Sequence, residues 1–150
     1  MAGPYETILL PTDGSEASLA AATHAGTLAE TSEATVHVVS IADSRNRFES
    51  PSSGLAPEVW EDAEHDRAEA SIAETVARLP DAVAVERTVA TGIPQDEILD
   101  LVDELGADVV VMGTHGRSGL DRYLVGSVTE RVVRHSPVPV LTVRGDGELE

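Results

Sequence analysis

Apolar residues along this chain follow two rhythms. Tyr5–Leu10 (YETILL), Thr35–Ile41 (TVHVVSI), Asp108–Met112 (DVVVM) and Val138–Val143 (VPVLTV) are short, nearly continuous apolar runs. Such runs suit strands covered on both faces, as in parallel sheets. Ala84–Val89 (AVERTV) alternates instead and predicts a strand nearer an edge. Helical spacing fills most of the gaps. Ser15 is placed to cap a helix running to about Glu30, with alanine and leucine on its inner face. Pro57–Leu79 carries Trp60, Ala63, Ala68, Ile72, Val76 and Leu79 at helical intervals. Pro94 fits the first turn of a helix that buries Ile98, Leu101, Val102 and Leu105 and stops at Gly106. A last helix starts near Ser127, buries Val128 and Val132, and ends before Pro137. Strand and helix alternate throughout, which predicts an open parallel sheet with helices on both faces. The stretch Asp43–Pro57 reads as a loop, and the tail from Gly145 as frayed.

Length and composition narrow this further. A chain of 150 residues reads as one domain, 1–150. No apolar run approaches the ~20 residues of a membrane span. The N-terminus lacks a basic segment followed by an apolar one, so a cytoplasmic location is expected. With no cysteine, disulfides and thiol chemistry are excluded. The net charge is −17, and all ten basic residues are arginine. Such a surface repels phosphate backbones and argues against nucleic-acid binding. The acid excess, the missing lysine and the many small alanines together fit a halophilic protein. In molar salt the Debye length shrinks to about 3 Å, and self-repulsion costs little.

In open parallel sheets, ligands bind beyond the carboxyl ends of the strands where strand order reverses. Here that points to Pro11-Thr12-Asp13-Gly14-Ser15 after the first strand and to Gly113-Thr114-His115-Gly116-Arg117 after the fourth. Glycine permits close backbone approach, and the helix opening at Gly126-Ser127 offers unpaired N–H groups to an anion. Other roles stay open. Ser127-Val128-Thr129-Glu130 fits a capping box, and Asp13 fits a turn before a helix. A P-loop is excluded because it needs a lysine, and the first strand is not followed by the dinucleotide fingerprint. A phosphoreceiver domain also needs a lysine. His24, His37, His65 and His135 are too scattered for a metal site.

The spacing Gly-x2-Gly-x9-Gly-Ser at Gly113, Gly116, Gly126 and Ser127 resembles the ATP-binding signature of universal stress proteins. ILLPTDGSEAS at Ile8–Ser18 and the whole of Thr91–Arg144 are similar to that family as well. The resemblance implies a Rossmann-like α/β fold of strand order 3-2-1-4-5. It also implies an ATP-binding stress-response regulator with slow or no hydrolysis and no assigned catalytic residue. Asp13, with Pro11 and Thr12, would hold the ribose and adenine side, and Val39 would meet adenine through its backbone. Gly113, Gly116, Gly126 and Ser127 would cradle phosphates, with His115, Arg117 and Val128 close by. Thr129 is expected to assist or to lie on the helix surface. A magnesium or manganese ion would ride on the phosphates rather than in a protein cage. Arg117, Arg122, Arg131 and Arg134 either soften the local field or pair with carboxylates on one helical face. The resemblance further implies a homodimer through the last strand, using Val138, Val140, Leu141 and Val143. A nucleotide-free dimeric interaction protein of the same fold is the alternative function.

Overall fold

In the computed structural model, which describes residues 4–44, 57–114 and 126–145 (side chains of 57–61 excepted), Ile8, Leu9 and Leu10 are fully buried. Three consecutive buried residues require cover on both faces of their strand. The strands are β1 (Thr7–Pro11), β2 (Thr35–Asp43), β3 (Ala84–Gly92), β4 (Val109–Gly113) and β5 (Val140–Val143). They form one sheet of order β3-β2-β1-β4-β5, with every pairing parallel. The helices are α1 (Glu16–Ser32), α2 (Pro57–Val76), α3 (Pro94–Leu105) and α4 (Ser127–His135). On one face Ile8, Leu10, Val36, Val38, Val109 and Val111 pack against α1 and α2. On the other, Leu9, Val39, Val110 and Met112 pack against Ile98, Leu101 and Val102 of α3 and Val132 of α4.

The helix in the middle of the first face has an unusual inner surface. α1 buries Ala17, Ser18, Ala21, Ala22, Ala25, Gly26, Ala29 and Ser32, all small. A methyl group gives far less than the ~1.5–3 kcal/mol of a buried valine or leucine. Close approach compensates, because small side chains let the helix backbone sit near the sheet. α1 is capped as its sequence predicts: the Ser15 hydroxyl accepts from the Ser18 N–H at 3.3 Å. Pro94 opens α3, and Gly106 closes it at φ 65°.

Element ends shift for identifiable reasons. β1 starts at Thr7 rather than Tyr5, and β4 at Val109 rather than Asp108. The Asp108 carboxylate accepts from the N–H groups of Glu6 and Thr7, at 2.8 and 3.0 Å, and so brackets the two strand starts. β3 runs on to Gly92 because β2 offers a partner as far as Asp43. β5 begins at Val140: Pro139 has no N–H, and the Val138 N–H turns to the Ser136 hydroxyl at 3.1 Å. α2 ends at Val76, where its last turn tightens and Leu79 N–H donates to the Val76 carbonyl. Ala63, expected inside, is exposed, whereas Glu64 is buried. Among its described side chains, α2 buries Glu64, Ala68, Ser71, Ile72 and Thr75, three of them polar, and Leu79 is buried just beyond its end.

Candidate functional site

Strand order reverses between β1 and β4, which pair directly through Ile8–Val109 and Leu9–Val110. Their carboxyl ends therefore deliver Pro11–Gly14 and Gly113–Thr114 to one edge of the sheet. The Asp13 turn is fixed by hydrogen bonds. Asp13 Oδ1 accepts from the Ser15 N–H at 3.0 Å and from the Ser18 hydroxyl at 2.9 Å. Gly14 sits at φ 79°, where a side chain is strained, and an added Cβ would meet Ser71 Oγ at 2.9 Å. Asp13 thus serves the turn and also lines the edge.

The end of β4 is tied to the start of α4. Gly126 N–H donates to the Thr114 carbonyl at 2.6 Å, and the Thr129 hydroxyl donates to the Gly113 carbonyl at 2.7 Å. Thr129 is 4% exposed, so its expected place on the helix surface is corrected: it is a buried tie. Gly126, not Ser127, is the N-cap residue, and no described side chain caps it. The capping-box reading of Ser127 is therefore replaced. Ser127 is the first helical residue, exposed, and the first-turn N–H groups of Ser127, Val128 and Thr129 face outward from the helix end. Gly126 has φ −64°, a backbone shape open to any residue.

Gly113 has a packing role that the spacing pattern does not reveal. A Cβ there would lie 2.5 Å from Ala17 Cβ, 2.8 Å from the Ala17 carbonyl carbon and 3.0 Å from Ser18 N. α1 is seated directly on this glycine. Thr12, expected at the ligand, is 5% exposed, and its polar atoms have internal partners. Its N–H donates to the Val39 carbonyl at 2.8 Å, its carbonyl accepts from Ser40, and its hydroxyl accepts from Gly14 N–H at 3.1 Å. Val39 itself is fully buried beneath this edge.

A shallow, solvent-open cleft lies beside the turn, lined by Asp13, Ser40, Ile41, Arg67, Ala68 and Ser71. Of these only Asp13 is expected from the sequence. Ser40 and Ile41 follow Val39 in β2, and Arg67, Ala68 and Ser71 belong to α2. Ala68, Ser71, Ile72 and Thr75 share one helical stripe in which hydroxyls interrupt the apolar positions, a pattern that does not by itself point to a site. His115, Gly116, Arg117 and Arg122 lie outside the described residues. Arg134 pairs with Glu130 at 2.6 Å, one turn apart, which is one of the two roles open to the arginines. His65 groups with Asp66 and Glu69, their ligand atoms within 4.8 Å of one another, and all three are exposed. Among the described residues, no helix is long and apolar enough to cross a membrane.

Comparison with known proteins agrees with this architecture. The universal stress protein family model matches residues 4–144. A universal stress protein of Methanocaldococcus jannaschii, MJ0531, is 34% identical over 142 residues, covering 93% of this chain and 82% of the relative. The solved structure of MJ0577, from the same organism, superposes with a TM-score of 0.80 at 29% identity, covering 93% of this chain and 96% of that one. A universal stress protein crystallised in complex with cAMP gives a TM-score of 0.62 at 30% identity, covering 95% of this chain and 99% of that chain. With a matching family model over nearly its full length, a relative above 30% identity and the parallel 3-2-1-4-5 sheet, this chain belongs to the universal stress protein family.

Proposed function

We propose that this chain is an ATP-binding stress-response regulator that holds the nucleotide at the β1–β4 edge and hydrolyses it slowly or not at all. The observation that carries the proposal is the tie between β4 and α4. Gly126 N–H on the Thr114 carbonyl and Thr129 on the Gly113 carbonyl hold the start of α4, which no described side chain caps, at the strand-order reversal. First-turn N–H groups and the helix dipole favour a phosphate there. The Ser127 hydroxyl adds a donor. The sugar and base then belong beside Asp13, toward the cleft of Ser40, Ile41 and Ser71. A family member crystallised with cAMP, an adenosine phosphate, supports this ligand class. Gly116, His115 and Arg117 extend the same proposal to the segment between β4 and α4.

A divalent cation fits on the phosphates. At the start of α4 the described residues offer N–H and hydroxyl donors rather than a carboxylate cage, and Glu130 is paired with Arg134. The slow-turnover part of the proposal is in keeping with Asp13, whose Oδ1 accepts from the Ser15 N–H and the Ser18 hydroxyl and so serves the turn. We also read the acid excess as halophilic, the location as cytoplasmic and the chain as one domain. The second reading, a dimer acting without nucleotide, draws on the edge strand β5. Leu141 there and Val133 on α4 are 41% and 50% exposed. The Val143 side chain is buried, so it would join a β5–β5 contact through its backbone.

Calorimetric titration of ATP with magnesium in molar potassium chloride tests the proposal. Micromolar binding is expected, abolished in a folded Gly126→Val variant. No heat up to millimolar ATP from the folded wild type would favour the nucleotide-free dimer. Retained affinity in Gly126→Val would remove the phosphates from α4.

A further inference from the structure

Thr75 stands in the last turn of α2 and is fully buried. A buried hydroxyl needs a partner, and Thr75 has a local one, the Ser71 carbonyl at 2.8 Å. It has a second that is not local: Thr12 Oγ1, 2.7 Å away and 63 residues distant in sequence. Thr75 carries one hydroxyl proton, and the Ser71 carbonyl can only accept. The Thr75 proton therefore goes to Ser71, and Thr12 donates its own to Thr75. The lone pairs of Thr12 Oγ1 then face the Gly14 N–H, which donates at 3.1 Å. One ordered chain of hydrogen bonds runs from the Gly14 amide through Thr12 and Thr75 into α2. From the other side, Ser40 donates to the Thr12 carbonyl at 2.8 Å.

We infer that Thr75 is a positioning residue: through the Thr12 hydroxyl it fixes the backbone of residues 12–14 and so sets how Asp13 is presented to the cleft. The inference rests on the nucleotide reading above and names the part of that site supplied by α2. A valine at 75 would fill the same volume without needing partners, so packing alone does not account for the hydroxyl. Ser71, one turn earlier in α2, borders the same turn closely enough that a Cβ added at Gly14 would meet its Oγ at 2.9 Å. Asp13 thus lies between Thr12, which is bonded to α2, and Gly14, which α2 borders. Any shift of α2 is passed to the turn, and a ligand gripping Asp13 is passed to α2.

Two variants separate positioning from packing: Thr75→Val keeps the volume and loses the hydroxyl, and Thr75→Ser keeps the hydroxyl and loses a methyl. Both are first checked for native circular dichroism. In nucleotide-free protein, amide exchange at Gly14 should quicken in Thr75→Val and stay near wild type in Thr75→Ser. ATP affinity should fall roughly 3- to 10-fold in Thr75→Val, one hydrogen bond's worth, and hold in Thr75→Ser. Wild-type Gly14 exchange in Thr75→Val overturns the inference, as does an equal loss of affinity in both variants. A wild-type chain that takes up no ATP overturns the nucleotide reading alone. Gly14 exchange in Thr75→Val then still decides for or against Thr75 as the support of the turn.

Discussion

Replacing Gly113 with alanine asks which of two roles this glycine plays. The added Cβ would stand 2.5 Å from Ala17 Cβ, 2.8 Å from the Ala17 carbonyl carbon and 3.0 Å from Ser18 N. Carbon atoms rest at about 3.5–4.0 Å, so α1 would have to withdraw by about 1 Å. Two of the three neighbours are backbone atoms and cannot rotate away. Gly113 is not at positive φ, so alanine meets no backbone strain. It even gains about 0.4–1 kcal/mol by restricting the unfolded chain. Overpacking, at about 1–3 kcal/mol, outweighs that gain. For a chain of this length each kcal/mol moves the melting point by roughly 2–4 °C. Gly113→Ala should therefore melt a few degrees below wild type in nucleotide-free protein. Ala17→Gly in the same chain removes the closest contact and leaves the two backbone ones. The pair should thus show a favourable coupling of about 0.5–3 kcal/mol, with incomplete rescue. Thermal unfolding of the four proteins, with ATP titrations alongside, measures the cycle. A Gly113→Ala protein that melts at or above wild type yet loses ATP would refute the packing argument and leave the glycine to the ligand alone.

Glu97 lies against the end of β3, where a Cβ on Gly92 would meet its Oε2 at 2.7 Å. Burial, then the charges of Asp100, Glu104 and Asp96, hold its carboxyl above the ordinary value. The folded chain thus binds this proton more tightly than the unfolded one, and the stability it contributes is lost as pH rises through the folded pKa. Glu97→Gln should melt higher than wild type at neutral pH and low salt. The gap should narrow in molar salt and close near pH ~4. Equal melting points at neutral pH would contradict that cause. Gly14→Ala combines a positive φ with the Ser71 contact; the left-handed backbone costs roughly 1–2 kcal/mol, read as a lower urea midpoint. It should also weaken ATP binding, because Asp13 precedes it.

The sheet was legible because its strands are two-sided. Ile8-Leu9-Leu10 and Val109-Val110-Val111 cannot be amphipathic, and only cover on both faces satisfies them. Strand limits were less legible because partners set them. Nothing within Ala90–Gly92 announces pairing with Ile41–Asp43. At the site, Asp13 and the Gly126-Ser127 helix start stood out as local motifs. The α2 wall did not, because Ser71 and Thr75 matter only through Gly14 and Thr12, far away in sequence. Gly113 stands out in the sequence by its spacing, while its contact with Ala17 exists only once α1 has folded back onto β4. Thr129 read as surface because the Gly113 carbonyl it ties lies on another element.

The two rims of the sheet differ in kind. β5 is four residues long and presents the exposed Leu141, whereas β3 is nine residues long and carries exposed Glu86 and Arg87. In the proposed dimer, two β5 rims joined about a twofold axis would use each other up, and assembly would stop at a pair. A β5 rim laid on a β3 rim would leave a free rim at either end and grow into a filament. Charged residues on the longer rim make that second arrangement costly to dehydrate. Those charges would thus oppose growth at the edge that offers the longest template.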